Sequence, residues 1–181
     1  MCHIEVIMST FNGKQNVVRQ LDSILAQKGV DVSVLIRDDG STDGTLELLK
    51  QYCAAHNNVR VIPGKNVGWR KSFLCGLELS EKADYYAYSD QDDVWLPNKL
   101  EECVDILETE KSNEPSMVHC NRYSCDEELK PFEVQSIKIP KPVSKKNALT
   151  QEYAQGCTIV MNKAAKDLVT KYKPSDLAPH D

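Results

Sequence analysis

Apolar and polar positions alternate along the chain in blocks that change period. "IEVIMST" (4–10) is apolar and partly alternating and runs into "FNG", which predicts a strand ended by a sharp turn. Between Gln15 and Gln27, the residues Val17, Val18, Leu21, Ile24 and Leu25 recur at helical spacing. "VSVLIRDD" (32–39) predicts a second strand. "GSTDGT" follows it, with Ser41 and Thr42 placed to cap a helix that runs to about His56. "VRVI" (59–62) predicts a short strand stopped by Pro63-Gly64, and Trp69 to Leu79 a helix. "YYAYSD" (85–90) predicts a fourth strand, after which Pro97 opens a helix reaching about Lys111. "SMVHCNRY" (116–123) predicts a fifth strand. Strands and helices in strict alternation predict an α/β domain built on a parallel sheet with right-handed crossovers.

Beyond Tyr123 this regularity fails. Residues 126–150 carry charges, prolines and short apolar runs, which predicts a long functional loop or irregular hairpins. "CTIVMN" (157–162) predicts a further strand and Lys163 to Lys171 a short helix. No repeat or linker divides the chain. It stops abruptly at "LAPHD", which points to a fragment of a longer protein.

Composition narrows the function classes. The 181 residues suit one domain with a real core, and 41% hydrophobic with 27% charged residues is the balance of a soluble globular chain. A net charge of −5 argues against a nucleic-acid backbone as main partner, because phosphate backbones are held by clustered Lys and Arg. The densest basic group, Lys138, Lys141, Lys145 and Lys146, reads as a solvated loop. Seven cysteines without a CxxC pair fit neither a disulfide framework nor a zinc site; they read as small hydrophobes in a reducing cytosol. Met1 runs directly into a strand, with no signal peptide, and no apolar run approaches the roughly 18 residues that span a bilayer.

Three polar signals fall at the carboxyl ends of predicted strands, the edge where open parallel sheets bind ligands. They are "STFNG", "RDDGSTDGT" and "SDQDDVW". In an extended segment Asp90 and Asp92 project to one side, so their carboxylates repel unless a divalent cation sits between them. Mg²⁺ takes one or two protein carboxylates and completes its shell with water and substrate phosphates, so an acidic protein can hold a diphosphate through the metal. The plainer alternative is a solvated loop in which Asp93 precedes a helix. "DDGSTDGT" also fits ordinary turn and cap chemistry, less so at Asp39, which sits on the ligand edge. Phe11 fits either core or a platform for a planar ring. Core packing is the default for Trp69, whereas Trp95 beside the carboxylates suits a pocket wall.

Taken in order, "VIMSTFNG", "IRDDGSTDGT", "NVGWRKSF", "YSDQDDVWLPNKL" and "QGCTIVMN" resemble the family 2 glycosyltransferases over nearly the whole chain. "SDQDDVW" is similar to the bacterial rhamnosyltransferases and related cell-surface polysaccharide enzymes. The resemblance implies a GT-A fold, a Rossmann-like, mainly parallel sheet flanked by helices. It implies one domain over 1–181, with 1–123 as the nucleotide-sugar half and 124–181 as the start of an acceptor half. It places Thr10, Phe11 and Asn12 at the nucleotide, Phe11 stacking on the base, and Asp39 on the imide N–H of uracil or thymine. Asn66, Gly68 and Arg70 fall in the loop that approaches the diphosphate or sugar. Asp90 and Gln91 belong to the donor site, and Asp92, with Asp90, to a Mn²⁺ or Mg²⁺ ion. "HD" at His180 and Asp181 matches the catalytic-base pair, with Asp181 as base.

The activity implied is inverting transfer from a UDP- or dTDP-sugar to a saccharide or lipid-linked acceptor. The protein is then cytoplasmic, or peripheral at the inner membrane face. No Ser or Cys nucleophile is needed, which leaves Cys157 to packing. Two alternatives stand beside this one: a non-catalytic nucleotide-sugar binding module, and a receiver-like phosphoacceptor domain. The second fits poorly, since its paired acids belong after the first strand, where this chain has "STFNG".

Overall fold

His3–Thr10 forms the central strand β1, in which Ile4, Val6, Ile7 and Met8 are all fully buried. Burial of consecutive residues means that both faces of the strand are covered, as in a parallel sheet between helical layers. The structure, a computed structural model, describes residues 1–109, 114–135 and 154–172. Strand β2 (Asp31–Asp38) pairs in parallel with β1 on one side, and β3 (Val59–Pro63) pairs in parallel beyond it. Strand β4 (Tyr85–Ser89) pairs in parallel with β1 on the other side. The helices α1 (Val17–Leu25), α2 (Thr45–Ala55) and α3 (Trp69–Glu78) connect these strands. α4 (Lys99–Glu108) then leads to β5 (Met117–His119), and β8 (Ile159–Asn162) leads to α5 (Lys163–Lys171).

The sheet order is β3-β2-β1-β4-β8-β5. Buried residues of α1, α2 and α4, among them Leu21, Leu49 and Leu100, fill one face, and Leu77 of α3 packs with Ile7, Tyr86 and Met161 on the other. The chain moves outward from β1 through β2 to β3, then returns to place β4 on the opposite side of β1. That reversal opens a crevice at the carboxyl ends of β1 and β4.

Several expectations need correction. β8 runs antiparallel to β4, and β5 antiparallel to β8. An apolar run has the same period in either direction, so "CTIVMN" does not encode which way its strand points. Only Ile159–Asn162 is extended; Gly156–Thr158 is a 3₁₀ turn. The single strand expected over 116–123 is two: β5, and β6 (Arg122–Cys125), which pairs with β7 (Pro131–Gln135) in a separate hairpin. Asp126 Oδ1 accepts from the Glu128 and Lys130 N–H groups and closes the turn between them. That hairpin meets part of the irregular region expected over 126–150; residues 136–150 lie outside the described residues. Neither Ser41 nor Thr42 caps α2. The helix starts at Thr45, where Asp43 Oδ1 accepts from the Thr45 N–H at 3.0 Å. α4 likewise starts at Lys99, two residues after Pro97. All seven cysteines are free thiols. Among the described residues no helix is long and apolar enough to cross a membrane.

Candidate active site

Parallel strands bring their carboxyl ends to one edge, and a hollow of about 530 Å³ lies there. That is the size of a small-molecule site, typically about 300–1,000 Å³. Phe11 from the connection after β1 and Asp39 from the end of β2 line it. So do Asn66 and Gly68 before α3, and Asp90, Gln91 and Asp92 after β4. Ser9, Trp69 and Phe73 complete the wall. All three lie within the segments "VIMSTFNG" and "NVGWRKSF", but the resemblance gave them no role; Ser9 is near a strand's carboxyl end, and Trp69 and Phe73 are in the first half of the helix that follows β3.

Asp39 anchors the floor. It is 2% exposed, and its Oδ1 accepts from Arg37 Nη1 (2.5 Å) and the Val67 N–H (3.0 Å). Its Oδ2 accepts from the Gly68 N–H at 3.0 Å. Arg37 is itself buried and donates to Ser72 Oγ (2.8 Å) and the Lys65 carbonyl (3.1 Å). A carboxylate offers about four acceptor positions. Three are taken by the protein, which leaves capacity for one donor from the hollow. Gly68 has φ 84° and ψ 149°, a backbone region held almost only by glycine, and this conformation aims its N–H at Asp39. Gly68→Ala is therefore expected to cost about 1–3 kcal/mol, read as a lower denaturant midpoint at constant m-value.

Thr10 and Asn12 brace the site rather than line it. Thr10 is fully buried; its hydroxyl donates to Asp38 Oδ2 (3.1 Å) and its carbonyl accepts from the Asp39 N–H (2.7 Å). Asn12 has φ 51°, and its Oδ1 accepts from the Thr42 N–H at 2.8 Å. The two turns after β1 and β2 are thereby tied together. Gln91 clamps the Phe11 backbone, accepting from its N–H (3.0 Å) and donating to its carbonyl (3.2 Å). A Cβ on Gly13 would overlap the Gln91 side chain, so the glycine permits the clamp.

The acidic segment bends after β4 instead of staying extended, so the two-residue spacing does not place Asp90 and Asp92. Both nevertheless line the same hollow. Polar side chains in and just after α1 fix the bend, and the helical stripe hid this role. Gln20 is fully buried. With its amide oriented to satisfy every neighbour, the nitrogen donates to the Asp93 carbonyl (2.6 Å) and Ser23 Oγ (2.9 Å), and the oxygen accepts from Trp95 Nε1 (3.1 Å) and Ser89 Oγ (2.7 Å). Ser23 Oγ accepts from the Trp95 N–H (3.0 Å), and Gln27 donates to the Leu96 carbonyl (2.8 Å). Gln20→Leu leaves several of these buried groups without partners, and about 1–3 kcal/mol of stability is expected to be lost in a urea titration.

Four further assignments change. Trp95 is 6% exposed and belongs to the core, with Lys99 Nζ 3.5 Å from its ring centroid, and it is not part of this hollow's wall. Trp69 is 45% exposed at the hollow, not core. Cys157 does more than pack: its thiol lies within 4.8 Å of carboxylate oxygens of Asp90 and Asp93. Burial pushes the Cys157 thiol well up, and the two neighbouring carboxylates push it further, so it stays protonated beside them. Lys99 donates to the Cys157 carbonyl at 2.7 Å. Burial lowers the Lys99 ammonium, and the nearby Asp93 carboxylate opposes that shift. Arg70 is not part of the wall; its guanidinium carbon lies 4.2 Å from the Trp69 ring centroid. Asp181 and His180 lie outside the described residues.

The sequence pattern described as Glycosyl transferase family 2 matches residues 5–169. The chain belongs to that family. It is 36% identical over 112 residues to dTDP-rhamnosyl transferase RfbG of Shigella flexneri, covering 59% of this chain and 38% of that protein. It is 34% identical over 102 residues to chondroitin synthase of Escherichia coli, covering 56% and 15%. The chain spans less than half the length of these curated relatives. S. aureus TarS 1–349, solved with UDP, shares the fold at TM-score 0.68 and 18% identity, covering 93% of this chain and 48% of that one. The mannosyltransferase PcManGT of Pyrobaculum calidifontis, solved with GDP-Man and Mn²⁺, does so at TM-score 0.68 and 18% identity, covering 98% and 49%. Both neighbours are GT-A glycosyltransferases, and the mostly parallel sheet expected from the sequence is theirs.

Proposed function

We propose that the hollow binds the nucleoside diphosphate half of a UDP- or dTDP-sugar, and that the protein transfers the sugar to a saccharide or lipid-linked acceptor. The observation that carries this reading is one hollow, at the sheet's switch point, lined together by Phe11, Asp39, Asp90 and Asp92. Phe11 is 46% exposed there and offers a ring face to a planar base. The remaining acceptor capacity of Asp39 suits an imide N–H, which uracil and thymine both carry. Asn66 orients the loop: its Oδ1 accepts from the Gly68 N–H at 3.2 Å.

Asp90 and Asp92 fit a divalent cation. Their oxygens are hard donors, and one or two carboxylates with substrate phosphates are the usual Mg²⁺ or Mn²⁺ environment. Asp92 would be the principal ligand and Asp90 its neighbour towards the ribose. Such an ion supplies positive charge to the diphosphate oxygens. PcManGT, solved with Mn²⁺, supports this choice.

Transfer proceeds by direct displacement. The acceptor hydroxyl oxygen bonds to the anomeric carbon while the bond from that carbon to the diphosphate oxygen breaks. Asp181 takes the hydroxyl proton, a role that rests on its family motif. The sugar inverts, and no covalent sugar–protein intermediate forms. Calorimetric titration with UDP, dTDP and GDP, each with and without Mn²⁺, checks the donor half. UDP and dTDP are expected to bind, more tightly with manganese, and GDP weakly. Absence of heat for both pyrimidine nucleotides in manganese contradicts the reading.

A further inference from the structure

Trp69 opens α3 with its indole nearly half in water at the hollow, although large aromatic rings of this kind are usually buried. Two contacts hold it there. The residue before it, Gly68, is tied by its N–H to Asp39 Oδ2. Arg70 lies over the ring, its guanidinium carbon 4.2 Å from the centroid, so one face is covered by a cation. The sheet order adds a third constraint. β2, which leads to Asp39, lies between β1, which leads to Phe11, and β3, which leads through residues 64–68 to Trp69. A base held at Asp39 therefore has an aromatic side chain on each neighbouring connection.

We propose that Trp69 is a second base-stacking residue, which with Phe11 holds the planar base of the donor while Asp39 selects it. The inference rests on reading the hollow as a nucleoside diphosphate site. It also reassigns Arg70: the guanidinium packs on one face of the indole, instead of reaching the diphosphate. A ring held in place before the ligand arrives loses little rotamer freedom on binding, so the stacking energy is retained as affinity. Every base has a π-face, so the contact reads planarity, while Asp39 reads the imide.

The two tryptophans make the experiment direct, because Trp95 is buried in the core and Trp69 is not. The protein is titrated with UDP and, separately, with inorganic pyrophosphate, both in manganese, with calorimetry and tryptophan emission recorded together. UDP is expected to quench the exposed tryptophan along the calorimetric isotherm, and pyrophosphate to leave it unchanged. Trp69→Leu is expected to weaken UDP about 10- to 100-fold, the usual range for one lost base stack, while pyrophosphate affinity stays within about twofold. Trp69→Phe, which keeps a ring, restores most of the UDP affinity. Equal losses for UDP and pyrophosphate, or wild-type UDP affinity in Trp69→Leu, overturn the proposal. The wild-type emission stands independently of how the variants fold: UDP heat with unquenched tryptophan overturns this inference alone. No UDP heat in the wild-type protein overturns the nucleotide assignment and this inference with it.

Discussion

Asp39→Ala is expected to lower the free energy of unfolding by about 3–5 kcal/mol and to abolish nucleotide binding. The stability loss follows from what the substitution leaves behind. Arg37 is buried and donates to the Asp39 carboxylate, and without it a guanidinium remains in the interior with only Ser72 and the Lys65 carbonyl as partners. The Val67 and Gly68 N–H groups lose their acceptor as well, which frees the loop that shapes one side of the hollow. Breaking one half of a buried pair is costly mainly through the orphaned charge, so removing both halves is milder. The double variant Arg37→Met/Asp39→Ala is accordingly expected to recover part of the lost stability while still failing to bind UDP. Urea unfolding of the two variants and the wild type measures the first effect, and calorimetry the second. A stable Asp39→Ala protein that binds UDP normally contradicts both roles of this residue.

Asp92→Asn separates function from folding. Asp92 is exposed at the mouth of the hollow, and a surface substitution of this kind changes stability by only about 0.5 kcal/mol or less. The amide keeps the shape but loses the charge. Manganese-dependent tightening of UDP is expected to disappear, and sugar transfer by the whole protein to fall about 100-fold or more, as when a group that stabilises developing charge is removed. The melting temperature without ligand is expected to match the wild type. Retained manganese dependence moves the metal away from Asp92.

Much of this site could be read from the chain because parallel α/β folds place polar turn residues at one edge. Phe11, Asp39, Asp90 and Asp92 each follow a strand whose apolar run is plain, so their convergence follows once the strands are known to be parallel. What the chain concealed has specific causes. Gln20 sits within an apolar helical stripe, where a polar residue carries no sign of the loop it will hold. β8 has the same period in either direction. The side-chain acceptor at the start of α2 is Asp43, which precedes the N-cap Gly44; "GSTDGT" holds several such residues, and local composition does not choose among them. Trp69 and Trp95 differ by neither composition nor flanking polarity; only the packing of α1 against the segment after β4 buries one and leaves the other in water. Cys157 is distant in sequence from Asp90 and Asp93, and only the antiparallel insertion of β8 brings it to them.

The central claim is that the acids at the carboxyl edge hold an ion that tethers a nucleoside diphosphate. Diffraction from crystals soaked with UDP and Mn²⁺, recorded at a wavelength where manganese scatters anomalously, examines this most directly. The account predicts one anomalous peak within coordination distance of Asp92, beside the diphosphate, with the base against Phe11 and its imide at Asp39. A peak elsewhere, or a nucleotide bound away from these side chains, contradicts it.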